Sequence, residues 1–389
     1  MIELVITIDY ELFGNGSGDV RRDVIEPTNR LLAICDRYGA KLTLMFEVAE
    51  YWAFQEAERD GRLDLAYSPS REMERQAQDA VGRGHDVQLH LHPQWIGARY
   101  EDGLWHLHSE RMRLIDLRDS ADPSGSAAVE ARLSRGKRTL EAMLQGVDPG
   151  YGCFAFRAGG FFVQPAAAVI AGLRNAGLWA DSSVVCGHVA SEPCPVDFRR
   201  AKGLPEFWWT TPDDVAECGG EEEGVLEFPV YSEMKPYVCN FKLSKVVATM
   251  RRRTVERRDP HSQVASAPQS VPSVHTVLGK LLSRHAVKFD ICKLSARDMC
   301  AMFASAARRA AGADGAVHPL VALGHTKDFW NDTAFERFLQ GLCADSRYRG
   351  QFRWNTLAGV TKQVLGARSR RGADGVEGPA AALPPMVQR

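Results

Sequence analysis

Residues 84–95 read GHDVQLHLHPQW, a run in which polar and apolar residues alternate and two histidines stand two positions apart. Alternation with a period of two predicts a β-strand over residues 86–92, and it places His90 and His92 on the same face. Two imidazoles on one face at a strand end are a candidate metal-binding pair. The alternative is an ordinary strand in which both histidines are structural.

Strand and helix patterns alternate along most of the chain. Apolar strand patterns occur at residues 4–8, 41–46, 153–156, 179–185, 225–230 and 319–323. Helical spacing of apolar residues occurs between several of them, at 24–38, 71–81 and 165–176. Ser295 and Asp298 have the spacing of a capping box, which predicts a helix running to about residue 311. This alternation is typical of an α/β fold with a parallel sheet, open or closed into a barrel.

The composition is that of an ordinary globular protein, with 389 residues, 45% hydrophobic and 25% charged. A formal net charge of −1 gives no indication of binding to nucleic acid or to an acidic membrane surface. The nine cysteines include no CxxC pair, so we expect neither a disulfide framework nor a cysteine zinc ribbon. Because we find neither a signal-type N-terminus nor a long apolar run, we expect a cytoplasmic protein without a membrane span.

Three segments interrupt the α/β pattern. Residues 97–118 are predicted to form an inserted hairpin. A mobile insertion is predicted at 251–288, which opens with the basic run RRRTVERR and continues rich in Ser, Pro and Gln. A disordered tail rich in Gly, Ala, Pro and Arg is predicted at 366–389. We therefore expect a single domain at residues 1–365.

Two acids follow the first apolar strand. Asp9 and Glu11 stand two positions apart, as His90 and His92 do at the end of another strand. Sites in parallel α/β folds gather at the carboxyl ends of the strands. Two imidazoles and one carboxylate meeting there would make a site for Zn²⁺ or a related divalent ion, with one position open for water. The second carboxylate would then be available as a general base.

Two further strand ends carry residues with suitable chemistry. FRAGGFF at residues 156–162 places Arg157 where its guanidinium can reach across such a site, with a surface ion pair as the alternative. VALGHTKDF at 321–329 places His325 directly after the last apolar strand, where an imidazole can protonate a leaving group. The alternative for His325 is a capping role.

A second HxH pair, His106 and His108 in WHLHSE, lies in the predicted hairpin. Because it falls outside the set of strand ends, we expect these two histidines to be structural.

Five motifs, taken in order, resemble those of a known family. They are TIDYE (7–11), GHDVQLHLHP (84–93), FRAGGF (156–161), WADSS (179–183) and LVALGH (320–325). As an ordered set covering about residues 1–330, they resemble the NodB-type polysaccharide deacetylases, carbohydrate esterase family 4 and its relatives. The resemblance implies a distorted (β/α)7 barrel.

The resemblance also implies a role for each matching residue. Asp9 matches the catalytic base, Glu11 a metal carboxylate and His90 the first metal histidine. Arg157 matches the arginine that holds the base, Asp181 the fourth-motif aspartate and His325 the catalytic acid. Asp181 is expected to orient Arg157 or His325. The choice of Asp9 as the base depends on the resemblance, because strand geometry alone permits the two acids to exchange roles.

The chain departs from the family pattern at two places. Tyr10 separates two acids that are usually adjacent aspartates, and the second acid is a glutamate. Gln94 occupies the position of the usual second metal histidine, so His92 is expected to replace it.

The implied function is metal-dependent removal of an acyl group, acetyl in the usual case, from an N-acylated sugar, with a place in the synthesis of a surface polysaccharide such as lipopolysaccharide. Zinc is the expected metal, with cobalt or nickel as alternatives, and a carbohydrate is the expected partner. Trp95, Trp208 and Trp209 are candidates for stacking on sugar rings, with core packing as the alternative for each. Two other functions stay open: hydrolysis of a small non-sugar amide, and a catalytically degenerate barrel that binds carbohydrate.

Overall fold

The computed structural model of the protein describes residues 1–221, 223–236, 284–311 and 317–373. Its strands are β1 (Ile2–Tyr10), β2 (Leu42–Glu47), β3 (Asp86–Leu91), β4 (Arg99–Glu101), β5 (Leu104–His106), β6 (Ala155–Ala158), β7 (Ala180–Asp181), β8 (Val189–Ala190), β9 (Val196–Asp197), β10 (Trp208–Trp209), β11 (Leu226–Glu227), β12 (Ser232–Pro236), β13 (Arg284–Lys288), β14 (His318–Ala322) and β15 (Phe352–Asn355). Its α-helices are α1 (Glu26–Arg37), α2 (Val48–Arg59), α3 (Pro69–Gly82), α4 (Ser126–Leu144), α5 (Ala167–Ala176), α6 (Ala296–Ala310), α7 (Asp332–Ala344) and α8 (Leu357–Ala373). Short turns of 3-10 helix follow several strand ends, at Pro93–Trp95, Gly159–Phe161 and Thr326–Asp328.

The central sheet has nine strands in the order β10-β11-β7-β6-β3-β2-β1-β14, with β15 also paired to β1. Neighbouring strands run parallel except for β10 and β11, so the predicted α/β class is confirmed and the sheet is mixed. Val230, just after β11, forms parallel bridges with both Val185 and Val321. These bridges bring the β11 side of the sheet back to β14, so the sheet is curled.

The two faces of the sheet pack against different partners. Along β1, Leu4, Ile6 and Ile8 lie in the large core between sheet and helices, whereas Val5 lies in a small cluster on the inner face. Side chains that alternate along a strand point to opposite faces, so Thr7 and Asp9 share the inner face with Val5. The inner face is thus apolar in its middle and polar toward the carboxyl ends of the strands.

Helix α8 closes the amino end of the inner face. Leu357 and Val360 complete the small inner cluster. The first turn of the helix is anchored on the sheet, because the backbone N–H of Leu357 donates to Thr43 Oγ1 (3.0 Å) and that of Ala358 to Asp86 Oδ2 (3.1 Å). Side chains that accept from the free N–H groups of a first turn fix the start of a helix. With the amino end closed, the carboxyl end is left as the end where a site can form.

The structure changes the bounds of two predicted segments. Residues 366–373 belong to α8 instead of beginning a disordered tail, and residues 284–288 form β13, which pairs with β12, instead of ending a mobile insertion. The rest of those two segments, 251–283 and 374–389, lies outside the described residues.

Two local predictions are confirmed. Strands β4 and β5 pair antiparallel within the predicted hairpin at 97–118. The hydroxyl of Ser295 accepts from the backbone N–H of Asp298 (3.1 Å) at the start of α6. Among the helices that the structure describes, none has the length and apolar character needed to cross a membrane.

The closure by α8 predicts a large effect of shortening one buried side chain. Leu357→Ala removes the leucine that plugs the inner cluster, and we expect it to lower the free energy of unfolding by about 2–5 kcal/mol. Lys362→Ala, at an exposed position of the same helix, should cost less than about 1 kcal/mol. Urea denaturation of the two variants and the parent measures the difference. Equal stability of the two variants would mean that α8 is not part of the core.

Candidate active site

Three polar side chains stand side by side on neighbouring strands at the carboxyl end of the sheet. Glu47 pairs in register with His90, and His90 pairs with Arg157. All three residues are fully buried. Buried polar and charged groups are costly unless they pair with one another, so this row requires partners.

Arg157 finds its hydrogen-bond partners on β1 and just after β7. Its Nη1 donates to Asp9 Oδ1 (2.6 Å), and its Nη2 donates to Thr7 Oγ1 (3.0 Å) and Ser182 Oγ (3.0 Å). Its Nε donates to the backbone carbonyl of Ser182 (2.9 Å). A guanidinium held by four hydrogen bonds has one orientation, which fixes the carboxylate of Asp9 with it.

The second oxygen of Asp9 faces an imidazole. Asp9 Oδ2 lies 3.4 Å from Nε2 of His325, a residue held beside Asp9 by a parallel bridge. Burial alone would raise the pKa of Asp9, but the charges of Arg157, His90 and His325 outweigh it and lower the pKa below 3.8. Burial lowers the pKa of His325 below 6.5. At neutral pH a carboxylate therefore lies beside a neutral imidazole.

His90 presents a nitrogen that has no hydrogen-bond partner among the described residues. Its Nδ1 lies 2.9 Å from the backbone carbonyl of Arg157, and because a carbonyl only accepts, Nδ1 carries a proton. Its Nε2 is buried, makes no hydrogen bond, and lies 3.5 Å from Glu11 Oε2. An imidazole that donates one N–H to a carbonyl and directs the other nitrogen at a carboxylate has the arrangement of a metal ligand.

Four candidate ligand atoms converge at this point. His92 Nδ1 lies 3.1 Å from Glu11 Oε2 and 2.8 Å from Glu47 Oε2. With His90 Nε2 they form a buried group in which all ligand atoms lie within 4.8 Å of one another. Tetrahedral ligands at about 2.1 Å from a metal are about 3.4 Å apart. The observed separations of 2.8–3.5 Å fall around that value, so the donor set fits a divalent ion.

The charges of the cluster also favour a cation. Asp9, Glu11 and Glu47 bring three carboxylates, against the two cations of Arg157 and Lys327. Burial opposes the charged form of His90, yet the neighbouring Asp9 and Glu11 raise its pKa to about 9. Without a metal the excess negative charge is met by a proton on His90, the position that a metal ion would take.

The two carboxylate oxygens of Glu11 have different neighbours, Lys327 for Oε1 and the imidazoles of His90 and His92 for Oε2. The Nζ of Lys327 lies 2.7 Å from Glu11 Oε1 and donates to the carbonyl of Leu12 (2.7 Å). Burial would raise the pKa of Glu11, but Lys327, His92 and His90 bring it well below 4.5. Oε1 is thus occupied by the ammonium, and Oε2 is left facing the two imidazoles.

Two members of the cluster were not predicted from the sequence. Glu47 ends the apolar run LTLMFE of β2, which is the same strand-end signal that identified Asp9. Its Oε1 accepts from the backbone N–H of Ala49 (2.9 Å) at the start of α2, so it also caps a helix. Lys327 gives no such signal, because only the turn after β14 brings it to Glu11, 316 residues away.

The glycines of FRAGGFF have a packing role beside the cluster. A Cβ at Gly159 would overlap the ring of His92, so glycine is required for the ring to lie there. Gly160 has φ +60°, a left-handed conformation that glycine adopts without strain.

The structure does not bring Asp181 to the cluster, contrary to its expected role. Ser182 faces Arg157, so by alternation Asp181 points to the opposite face of the sheet. There Asp181 Oδ1 accepts from Ser183 Oγ (2.6 Å), and Asp181 pairs in register with the equally buried Glu227. Ser182 performs the orienting task that was predicted for Asp181.

The expected sugar-stacking residues fall mainly in the core. Trp95 and Trp208 are buried in the large core, and Trp208 Nε1 donates to the carbonyl of Val215 (3.0 Å). Trp209 is half-buried against the inner cluster. Core packing therefore accounts for Trp95 and Trp208.

The second HxH pair stays outside the cluster. His106 lies on β5 of the hairpin, and the ring of His108 contacts Glu110 (3.1 Å) and the carbonyl of Gly97 (3.3 Å). The groups that could hold a metal in the described part of the chain include neither histidine.

Comparison with known proteins gives distant structural similarities. No family model and no curated protein sequence matches the chain. Among solved structures, a protein described as a polysaccharide deacetylase from Mycobacterium smegmatis is 12% identical with a TM-score of 0.44, covering 99% of this chain and 95% of that one. PuuE allantoinase is 11% identical with a TM-score of 0.43, covering 94% and 90%. A GH57-type branching enzyme from Pyrococcus horikoshii is 11% identical with a TM-score of 0.44, covering 92% and 69%. At these values neither family nor activity follows from the similarity.

The position of Asp181 predicts how stability depends on pH. Burial raises the pKa of Asp181 from 3.8 to about 6, with Ser183 and Glu227 as partners that partly oppose the rise. Its carboxyl group is therefore protonated in the folded state up to about pH 6, while it ionises above about pH 4 when unfolded. The contribution to stability is complete below about pH 4 and is lost as pH rises through about 6.

Asp181→Asn cannot ionise and should escape this loss. We expect the free energy of unfolding of the variant, relative to the parent, to rise by about 1–3 kcal/mol between pH 4.5 and pH 8. Urea titrations at both pH values measure it, with Asp64→Asn at an exposed acid as the control. A difference that does not change with pH would refute a protonated Asp181.

Proposed function

We propose that this protein is a metal-dependent hydrolase that removes an acyl group from the nitrogen of an N-acylated sugar. The observation that supports the proposal is that two groups of side chains lie next to each other at the carboxyl end of the sheet. One is the ligand group of Glu11, Glu47, His90 and His92. The other is Asp9 with His325, and Glu11 belongs to both groups.

The ligand set differs from the sequence-based expectation by one residue. The expected set was Glu11, His90 and His92, and the geometry adds Glu47. The buried Nε2 of His90, which lacks a hydrogen-bond partner in the described residues, supports the fit of a metal. Mixed nitrogen and oxygen donors suit Zn²⁺, with Co²⁺ and Ni²⁺ as alternatives. When bound, such an ion polarises an amide carbonyl and lowers the pKa of a water molecule.

The remaining residues supply the proton transfers. Arg157 holds Oδ1 of Asp9, which leaves Oδ2 as the oxygen that accepts a proton from the attacking water. His325 Nε2, 3.4 Å from that oxygen, is placed to receive this proton and deliver it to the departing nitrogen. The new C–O bond to the acyl carbon forms first, the C–N bond of the amide then breaks as its nitrogen receives the proton, and the products are a carboxylic acid and an amine.

The choice of a sugar as the substrate follows the resemblance of the five motifs to the polysaccharide deacetylases. The barrel type that this resemblance implies is supported by the parallel pairing of eight of the nine strands of the central sheet, all except β10, and by the bridges of Val230. Synthesis of a surface polysaccharide in the cytoplasm is the setting that we propose with it.

The metal is the first testable element of the proposal. We expect purified protein to hold about one equivalent of metal by elemental analysis. His90→Ala, His92→Ala and Glu47→Gln should each lose it, because each removes one converging donor, and the loss of a ligand should leave the fold intact by circular dichroism. His106→Ala, at a histidine outside the cluster, is the matched control and should retain full metal content.

Two results would change the assignment. Full metal content in His92→Ala would mean that this histidine is not a ligand. Absence of metal from the parent protein, even after loading with Zn²⁺, would favour a degenerate carbohydrate-binding barrel.

The division between base and acid is the second testable element. Asp9→Asn keeps the shape of the side chain but cannot accept a proton, and His325→Ala removes the group that protonates the amine. Each should lower kcat by about 10²–10⁴ with metal content unchanged. Release of the free amino sugar from N-acetylated sugars is the assay.

Glu11→Gln is the informative companion variant. It should lose the metal, since Glu11 Oε2 faces both imidazoles. If Asp9→Asn instead loses the metal while Glu11→Gln retains it, the two carboxylates have exchanged roles.

A further inference from the structure

One lysine at the rim of the cluster forms no direct ion pair with a carboxylate in the described part of the chain, although the charge of Asp290 acts on it. Lys288, the last residue of β13, places its Nζ 4.1 Å from the centroid of the Phe161 ring. No ion pair to Lys288 forms among the described residues, although other lysines near the cluster, Lys293 and Lys327, each have acidic partners. Ammonium groups that leave water usually acquire a counter-ion, so a missing one is informative.

Neighbouring contacts locate Lys288 between two strand ends of the cluster. Phe161 follows Arg157 in the turn after β6. On the other side, the residue after Lys288 is Phe289. Its backbone carbonyl accepts from the backbone N–H of Leu323 (2.9 Å), which lies two residues before His325. The charges of Asp290, Lys293, Asp9 and Arg157 act on Lys288, in that order of size. The contacts of Phe161 and Phe289 place the lysine beside the strand ends that carry Arg157 and His325.

The residue beneath the ammonium is held in an unusual conformation. Phe161 has φ +64°, in the left-handed region that a bulky side chain rarely adopts, and its ring is nearly buried. Strained backbone in folded proteins gathers at functional sites, where surrounding contacts maintain it. At Phe161 the strained turn sets an aromatic face under a lysine at the rim.

We propose that Lys288 binds an oxyanion of the substrate, a phosphate or a carboxylate carried by the same sugar as the acyl group. The assignment deepens and rests on the proposed function, because it places the anion beside the Asp9 and His325 pair. Cation–π contact with Phe161 holds the ammonium in position, and the anion supplies the direct ion-pair partner that the described residues do not provide. Burial lowers the pKa of Lys288 to about 8, which leaves it mostly charged at neutral pH.

The chain offers a matched control for this lysine. Lys362 lies over the ring of Phe154 (4.9 Å), so it repeats the contact between a lysine and a phenylalanine. Phe154 precedes β6 and Lys362 belongs to α8, so this pair lies at the closed, amino end of the sheet. Substitution to methionine at either position keeps the apolar stem over the ring and removes only the charge.

The experiment compares three probes by calorimetry on the metal-loaded protein. They are an acetamido sugar 1-phosphate, the corresponding acetamido uronic acid, and the neutral methyl glycoside. The parent should bind at least one anionic probe more tightly than the neutral one. Lys288→Met should weaken that probe about tenfold to a hundredfold, the usual worth of a hydrogen bond to a charged group. Lys288→Arg should restore most of the preference, and Lys362→Met should bind as the parent does.

The probe that responds identifies the anion as phosphate or carboxylate. The proposal is overturned if the parent binds neither anion in preference to the neutral sugar, or if Lys288→Met keeps the parental preference. Because binding is measured without turnover, a separate assay for acyl release distinguishes the two proposals. Anion preference that depends on Lys288 without any acyl release would refute the hydrolase and leave the anion site standing.

Discussion

The buried ion pair between Arg157 and Asp9 is the constraint on which the rest of the site depends. The guanidinium is wholly enclosed, so each of its hydrogen bonds must be met by the strands around it: Thr7 and Asp9 on β1 and Ser182 after β7. Breaking such a pair by removing one partner costs about 3–5 kcal/mol, because the other charge is left uncompensated. The pair therefore joins three strands, and it also keeps Asp9 ionised with one oxygen free.

From this pair the inner face of the sheet changes character along its length. Apolar side chains fill the middle, α8 closes the amino end, and the carboxyl end collects more negative than positive charge. Lys327 neutralises only one oxygen of Glu11. The protein thus uses its own cations to hold the carboxylates in place. The atoms that still face one another, the imidazole nitrogens and Glu11 Oε2, are those that a metal ion would need as ligands.

Much of this arrangement could be predicted from the sequence. Apolar runs located the main strands, and a polar residue directly after a run located Asp9, Arg157 and His325. Alternation of polar and apolar residues within a strand located His90, and the structure brings the four residues together. The same rule would have found Glu47. However, Glu47 also caps α2, which begins at the next residue, so no loop marks the end of the strand in the sequence. Asp181 shows the limit of reading motifs without register, because a shift of one residue along a strand reverses the face. The role of Lys327 could not be predicted, because its partner Glu11 lies 316 residues away and only the folded chain brings the two together.

The pairing of the first strand with the last ones has a consequence for the order in which the protein is made. Strand β1 lies between β2 and β14 and also pairs with β15, so β1 waits for two strands that are synthesised much later than itself. Contacts across so many residues close slowly, because a long loop must be ordered before any of them forms. During translation the edge of β1 is left without its final neighbours, and Asp9 without His325, until β14 has emerged. A ribosome-bound nascent chain therefore carries an unfinished, open-edged sheet until β14 and β15 have emerged, which is the stage at which such a chain depends on chaperones.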